Sequence, residues 1–68
     1  MLVINQPIDI FHVKAYSTKI GYHYKIFYGK KLVAQSYVYF HRMDDCYRRM
    51  MADIELLKET KDYYDNKP

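Results

Sequence analysis

Apolar and polar residues alternate from Ile8 to Tyr16, with β-branched and aromatic side chains among them, and this predicts a strand. Phe11, Val13 and Ala15 share one side of it; Ile8, Ile10, His12 and Lys14 share the other. Before it stand four apolar residues and then Asn5-Gln6-Pro7. Pro7 removes a backbone donor and disfavours helix just before it, which suits a strand starting after it. Ser17-Thr18-Lys19 reads as a turn. Ile20 to Tyr28 alternates again, with Tyr22, Tyr24, Ile26 and Tyr28 on one side and His23, Lys25 and Phe27 on the other. Gly29-Lys30 separates two β-like runs at hairpin spacing, and Gly at the first central position suits a type II′ turn. Lys31 to about Phe40 is the third strand, with a bend near Ser36.

The period then changes. Met43, Tyr47, Met50, Ile54 and Leu57 recur at alternating steps of four and three, flanked by Cys46 and Met51. That is an amphipathic helix of about four turns. Its polar face holds Asp44, Asp45, Arg48, Arg49, Asp53, Glu55, Lys58 and Glu59, and its first two acids suit the positive end of the helix dipole. Three ion pairs are expected along it: Asp44–Arg48, Asp45–Arg49 and Arg49–Asp53. The order predicted is β-β-β-α: an α+β domain over 1–61, a three-stranded antiparallel meander with one helix on one face. The polar residues 62–68 read as a frayed tail.

A two-residue loop at Ser17-Thr18 would set Phe11 opposite Tyr24 and Val13 opposite Tyr22. The Gly29-Lys30 turn would set Ile26 opposite Val33. The helix side then holds Phe11, Val13, Tyr22, Tyr24, Ile26 and Val33. The far side holds Ile10, His12, Lys14, His23, Lys25, Phe27, Leu32 and Ala34. Ile10, Phe27 and Leu32 would form an apolar patch rimmed by positive charge, which marks an interface more often than free surface.

The stretch from Phe11 to Leu57 resembles the YegP-like family, small bacterial proteins of unknown function. The resemblance rests on Phe11-x-Val13, Tyr22-x-Tyr24-x-Ile26, the turn Tyr28-Gly29-Lys30-Lys31, and Leu32-Val33-Ala34-Gln35-Ser36. A tyrosine-containing loop and a helix follow, as in the family. The chain departs from it in heavier aromatics such as Tyr28 and in a more charged helix. The resemblance implies this fold and pairing of units into dimers; it implies no catalytic residue.

Composition narrows the role. The chain has 68 residues, one Cys, no Trp, nine Tyr and three Phe. A domain this small buries only about 60% of its unfolded surface. Reinforcement by a second copy or a tight partner is therefore expected, since one Cys forms no internal disulfide. Net charge is +3, unevenly spread: residues 1–42 carry six Lys/Arg against the single acid Asp9, and residues 43–68 carry five against seven acids. A basic half suits an acidic protein or a nucleic acid. With no secretory pattern, no apolar run of about 20 residues and an unpaired Cys, a cytoplasmic protein is expected.

Candidate chemistry is sparse. His12 and His23 would lie opposite one another, but two ligands make no metal site, and no metal or cofactor is expected. Cys46 with His41 has the residue types of a nucleophile and base, yet a Cys on a helix stripe reads as a small core residue. No phosphate loop, carboxylate pair or nucleophile motif occurs. The expectation is a non-enzymatic binding module that occludes a partner protein, such as a host enzyme or nucleoprotein complex. By analogy of size and Tyr, Lys and Met content, it resembles phage inhibitors of host or defence systems, anti-CRISPR proteins among them. The expected contact residues are Ile10, His12, Lys14, His23, Lys25, Phe27, Lys30, Lys31 and Leu32. The alternative is a single-stranded nucleic-acid binder using the same basic and aromatic residues. A homodimer using the patch itself is a third reading.

Overall fold

The computed structural model describes residues 1–60, so the tail expected over 62–68 lies outside the described residues. Four strands form one antiparallel sheet in the order β1-β2-β3-β4: β1 (Leu2–Ile8), β2 (Phe11–Thr18), β3 (Gly21–Tyr28) and β4 (Lys31–Gln35). Helix α1 (Met43–Glu59) follows and packs mainly on β3. The α+β class stands as expected, with four strands in place of three.

The additional strand is β1. Its residues run antiparallel to β2, from Ile8 opposite Phe11 to Leu2 opposite Tyr16, with an irregularity between Leu2 and Ile4. Pro7 is tolerated because β1 is an edge strand and need not donate outward. The strand's start is pinned by paired bonds, from the Ser17 N–H to the Met1 carbonyl and from the Met1 ammonium to the Ser17 carbonyl, both 2.7 Å. Ile8 thus belongs to β1 and packs on the core, not beside His12. Ile10 falls in the β1–β2 turn next to Asp9, whose φ of 61° is left-handed. Asp tolerates that region better than most residues. The Asp9 carboxylate lies 3.1 Å from Lys58 Nζ on the helix.

The β2–β3 register differs from the expected one, because the turn is Lys19-Ile20. Thr18 lies opposite Gly21 and Val13 opposite Ile26 rather than Tyr22. Thr18 fixes the turn: its hydroxyl donates to the Gly21 carbonyl (2.9 Å) and accepts from the Ile20 N–H (3.2 Å). Val13 moved by four places along β3, an even number, so every side chain of β2 and β3 kept its face. Phe11, Val13, Ala15, Tyr24 and Ile26 are buried under the helix.

At the β3–β4 turn Gly29 has φ 62° while Lys30 stays negative, the signs of a type II′ turn. A bulge then places Ile26 opposite Ala34 instead of Val33. Ala34 is thereby brought to the helix side, against the expectation, and both Val33 and Ala34 pack on the core. The bend expected near Ser36 is where β4 ends. Ser36 still holds β3 there: its N–H donates to the Tyr24 carbonyl and its hydroxyl accepts from the Tyr24 N–H, each at 3.1 Å. The chain then arches away and returns at Phe40, which exchanges two backbone bonds with Tyr22 (2.8 and 2.9 Å). The return passes close to Gly21 (φ 139°), where an added Cβ would sit 2.7 Å from the Phe40 carbonyl oxygen.

Helix α1 begins at Arg42, which is extended and offers no side-chain cap. Its other end is closed by Thr60, whose N–H reaches the Leu56 and Leu57 carbonyls (3.1 Å) and whose hydroxyl donates to that of Leu56 (3.0 Å). The buried stripe is Cys46, Met50, Ile54 and Leu57. Tyr47, expected within it, is 42% exposed instead. The helix presents the small Cys46 to the sheet, and the tyrosine swings to the flank. Of the three expected ion pairs only Arg49–Asp53 forms (3.7 Å); Asp44 pairs with Arg42 (3.6 Å) and Asp45 with Arg48 (3.9 Å). The Tyr24 hydroxyl, inside the core, donates to Asp53 Oδ2.

Candidate binding face of the sheet

Among the described residues one helix covers one face of the sheet, and no second layer covers the other. Strand alternation brings His12, Lys14 and Tyr16 of β2 and His23, Lys25 and Phe27 of β3 onto it, in three opposed pairs: His12 with Phe27, Lys14 with Lys25, and Tyr16 with His23. Leu32 extends the face opposite Phe27, and Asn5 extends it opposite Lys14.

Two lysines directly opposite on neighbouring strands repel one another. Here each leans onto a ring at a different end of the face: Lys14 Nζ lies 5.6 Å from the Phe27 centroid and Lys25 Nζ 5.9 Å from that of Tyr16. Such contacts are worth about 0.5–1 kcal/mol at exposed sites. Tyr16 also stacks on His23 (4.9 Å, 13°), and Tyr39 meets His23 edge-on (5.3 Å, 68°). Burial, then Lys25 and then the chain's amino terminus hold the His23 ring below its ordinary pKa. His12 Nε2 lies 2.5 Å from Asn5 Oδ1, an acceptor, so that nitrogen carries the proton. Asn5, His12, Lys14, Phe27, Gly29 and Lys30 line a shallow depression of about 520 Å³.

The face has no carboxylate among the described residues. Residues 1–42 contain only Asp9, and Asp9 is paired with the helix through Lys58. The remaining described acids lie on α1, on the other side of the sheet. The described acids of the charge split thus lie away from the open face, while of the six basic residues before Met43 Lys14 and Lys25 stand on it and Lys30 borders it.

Of the expected contact residues, His12, Lys14, His23, Lys25, Phe27 and Leu32 share this face, and Lys30 borders it in the turn. Lys31 does not: it is opposite Tyr28, whose side chain packs on the core. Ile10 is 47% exposed at the same end of the sheet, but in a turn rather than on a strand. Sequence reasoning missed Tyr16, Tyr39 and Asn5. Tyr16 was accessible from its two-residue spacing to Lys14; Tyr39 is brought in only by the Phe40–Tyr22 bridge.

The other candidate chemistry is dispersed. His12 and His23 are not opposite one another, because the β2–β3 register gives them Phe27 and Tyr16 as partners. Among the described residues no three His, Cys, Asp or Glu side chains are grouped as metal ligands. Cys46 is fully buried, and burial pushes its thiol up from the ordinary value, while His41 is exposed. No helix of the described residues is long and apolar enough to cross a membrane. Comparison with protein-family models, with curated proteins and with solved structures finds no match to this chain.

Proposed function

We propose that this chain is a non-enzymatic binding module that lays the open face of its sheet on an acidic patch of a partner protein and so occludes it. The observation that carries this reading is the Lys14–Lys25 pair, opposed on adjacent strands on a face without a carboxylate among the described residues. Partner carboxylates can pair with the two ammonium groups, which lean to opposite ends of the face, and are steered there by its positive charge. Phe27 and Leu32 supply apolar anchorage, and Tyr16 offers large contact area at low entropy cost. The face is favoured over the sheet edges, which are poor templates for an added strand. Edge strand β1 carries Pro7 and an irregularity near Val3, and β4 has five residues and a bulge.

Single-stranded nucleic acid is the second reading, favoured by the interleaved lysines and rings. Base stacking needs free ring faces, however, and several are committed. Tyr16 and His23 cover one another, and Lys14 sits over Phe27. The biological setting we adopt is inhibition of a host or defence complex inside the cell, by analogy with small phage inhibitors. The YegP-like resemblance supplies no role for any residue.

The test is capture from host lysate with wild type and with Lys14→Glu/Lys25→Glu, each with and without nuclease. A protein retained by wild type, lost with the variant and indifferent to nuclease is the expected result. Retention that nuclease abolishes, with affinity falling steeply with salt, would replace it by the nucleic-acid reading.

A further inference from the structure

Among the described residues the helix side of the sheet is only partly covered. Four strands spaced about 4.8 Å apart are wider than a helix of about 10 Å diameter. Along the β1 flank of α1 this leaves a second apolar row, distinct from the core stripe: Met43, Tyr47 and Met51, one turn apart on the helix, with Ile4 of β1 beside them. Together with Asp44 and Arg48 they line an open groove of about 430 Å³.

The charges flanking that row identify its occupant. Asp44 and Arg48 each follow a row residue by one position, so they lie on the same flank, one turn apart and opposite in sign. When two copies of such a helix pack antiparallel about a two-fold axis at the level of residue 46, midway between Asp44 and Arg48, like flanks meet in reversed order. Asp44 of each copy then comes alongside Arg48 of the other, two ion pairs per dimer. Inside one chain these groups are held only loosely, Asp44 to Arg42 at 3.6 Å and Arg48 to Asp45 at 3.9 Å, both highly exposed. Exposed pairs of this kind contribute about 0–1 kcal/mol, so exchanging them costs little.

We propose that the Met43–Tyr47–Met51 flank of α1 is the seat of a second copy of this chain, in a two-fold antiparallel helix contact registered by Asp44 and Arg48. The contact lies on the helix side, so each open sheet face stays free on the outside of the dimer. The dimer therefore offers two identical basic faces, and an assembly with repeated acidic patches gains avidity from both.

Sedimentation equilibrium near 100 µM, with helix content followed by circular dichroism, tests this. Wild type is expected at twice the chain mass of 8.3 kDa. Asp44→Arg alone and Arg48→Asp alone each set like charges against one another and should weaken dimerisation about tenfold or more. The double exchange Asp44→Arg/Arg48→Asp should restore it. Tyr47→Asp should give a folded monomer, while Lys14→Glu/Lys25→Glu should remain dimeric. A wild type monomeric at that concentration overturns the proposal. So does a double exchange that stays as weak as the single variants, or a dimer broken by the lysine pair and not by Tyr47→Asp.

Discussion

Tyr24 joins the sheet to the helix by a single polar contact. Its ring is buried under α1 at 1% exposure, and its hydroxyl donates to Asp53, which Arg49 also approaches at 3.7 Å. Tyr24→Phe keeps the ring and deletes the bond. A hydrogen bond to a charged group is worth about 1.5–3 kcal/mol. Asp53 keeps Arg49 and a side-chain exposure of 22%, so water recovers part of the loss and the lower end, about 1.5 kcal/mol, applies. For a domain of this size that is a fall in Tm of about 6–12 °C. The pH dependence is a sharper check. Burial first, and then the bond to Asp53 and its charge, push Tyr24 well above its ordinary value of 10.0. The unfolded chain ionises near that value while the folded chain keeps its proton. The contribution is thus complete below pH 10 and declines as pH rises beyond it. Urea unfolding of both proteins from pH 7 to 11, followed by circular dichroism, should show a constant gap that narrows above about pH 10. A gap under about 0.5 kcal/mol at pH 7, or one that stays constant to pH 11, would refute the reasoning.

Two further outcomes follow from the same structure. Gly21→Ala puts a Cβ 2.7 Å from the Phe40 carbonyl at a φ of 139°, so it should cost about 1–3 kcal/mol and loosen the Tyr39–Phe40 return, read as faster amide exchange at Tyr22 and Phe40. His23, held below its ordinary 6.5 by burial and Lys25, should make the wild type less stable as pH falls through that value, because the unfolded chain takes up the proton more readily. His23→Phe keeps the stack on Tyr16, so chemical denaturation at pH 5 and 7.5 should show that part of the slope removed; an unchanged slope would contradict the assignment.

The sheet faces were legible because they depend on parity. The expected β2–β3 turn was misplaced at Ser17-Thr18, yet Phe11, Val13, Tyr24 and Ile26 still reached the core and His12, Lys14, His23, Lys25 and Phe27 the open face. An even displacement preserves alternation. The one-residue bulge at β4 is odd, and there Ala34 was misassigned. Strand β1 was not legible: as an edge strand it is largely exposed on both sides, so Leu2-Val3-Ile4-Asn5-Gln6-Pro7-Ile8 has no alternation to show. Nor was the helix rotation, since Cys46 and Tyr47 are adjacent and both fit an apolar stripe. Only packing against the sheet chose the smaller.

The sequence by itself determined the α+β class, the hairpin at Gly29, the partition of the β2 and β3 side chains between two sheet faces, and the excess of positive charge up to Arg42. These follow from local periodicity, turn chemistry and composition, which need no knowledge of what lies across a strand. Only the tertiary structure decided that Lys14 stands opposite Lys25, that Asp9 turns to Lys58, that Tyr39 returns beside His23, and that Tyr47 lies outside the core. Each is a contact between residues distant in the chain or a choice between neighbours that either could satisfy. Such contacts are set by register and by how one helix fits over four strands.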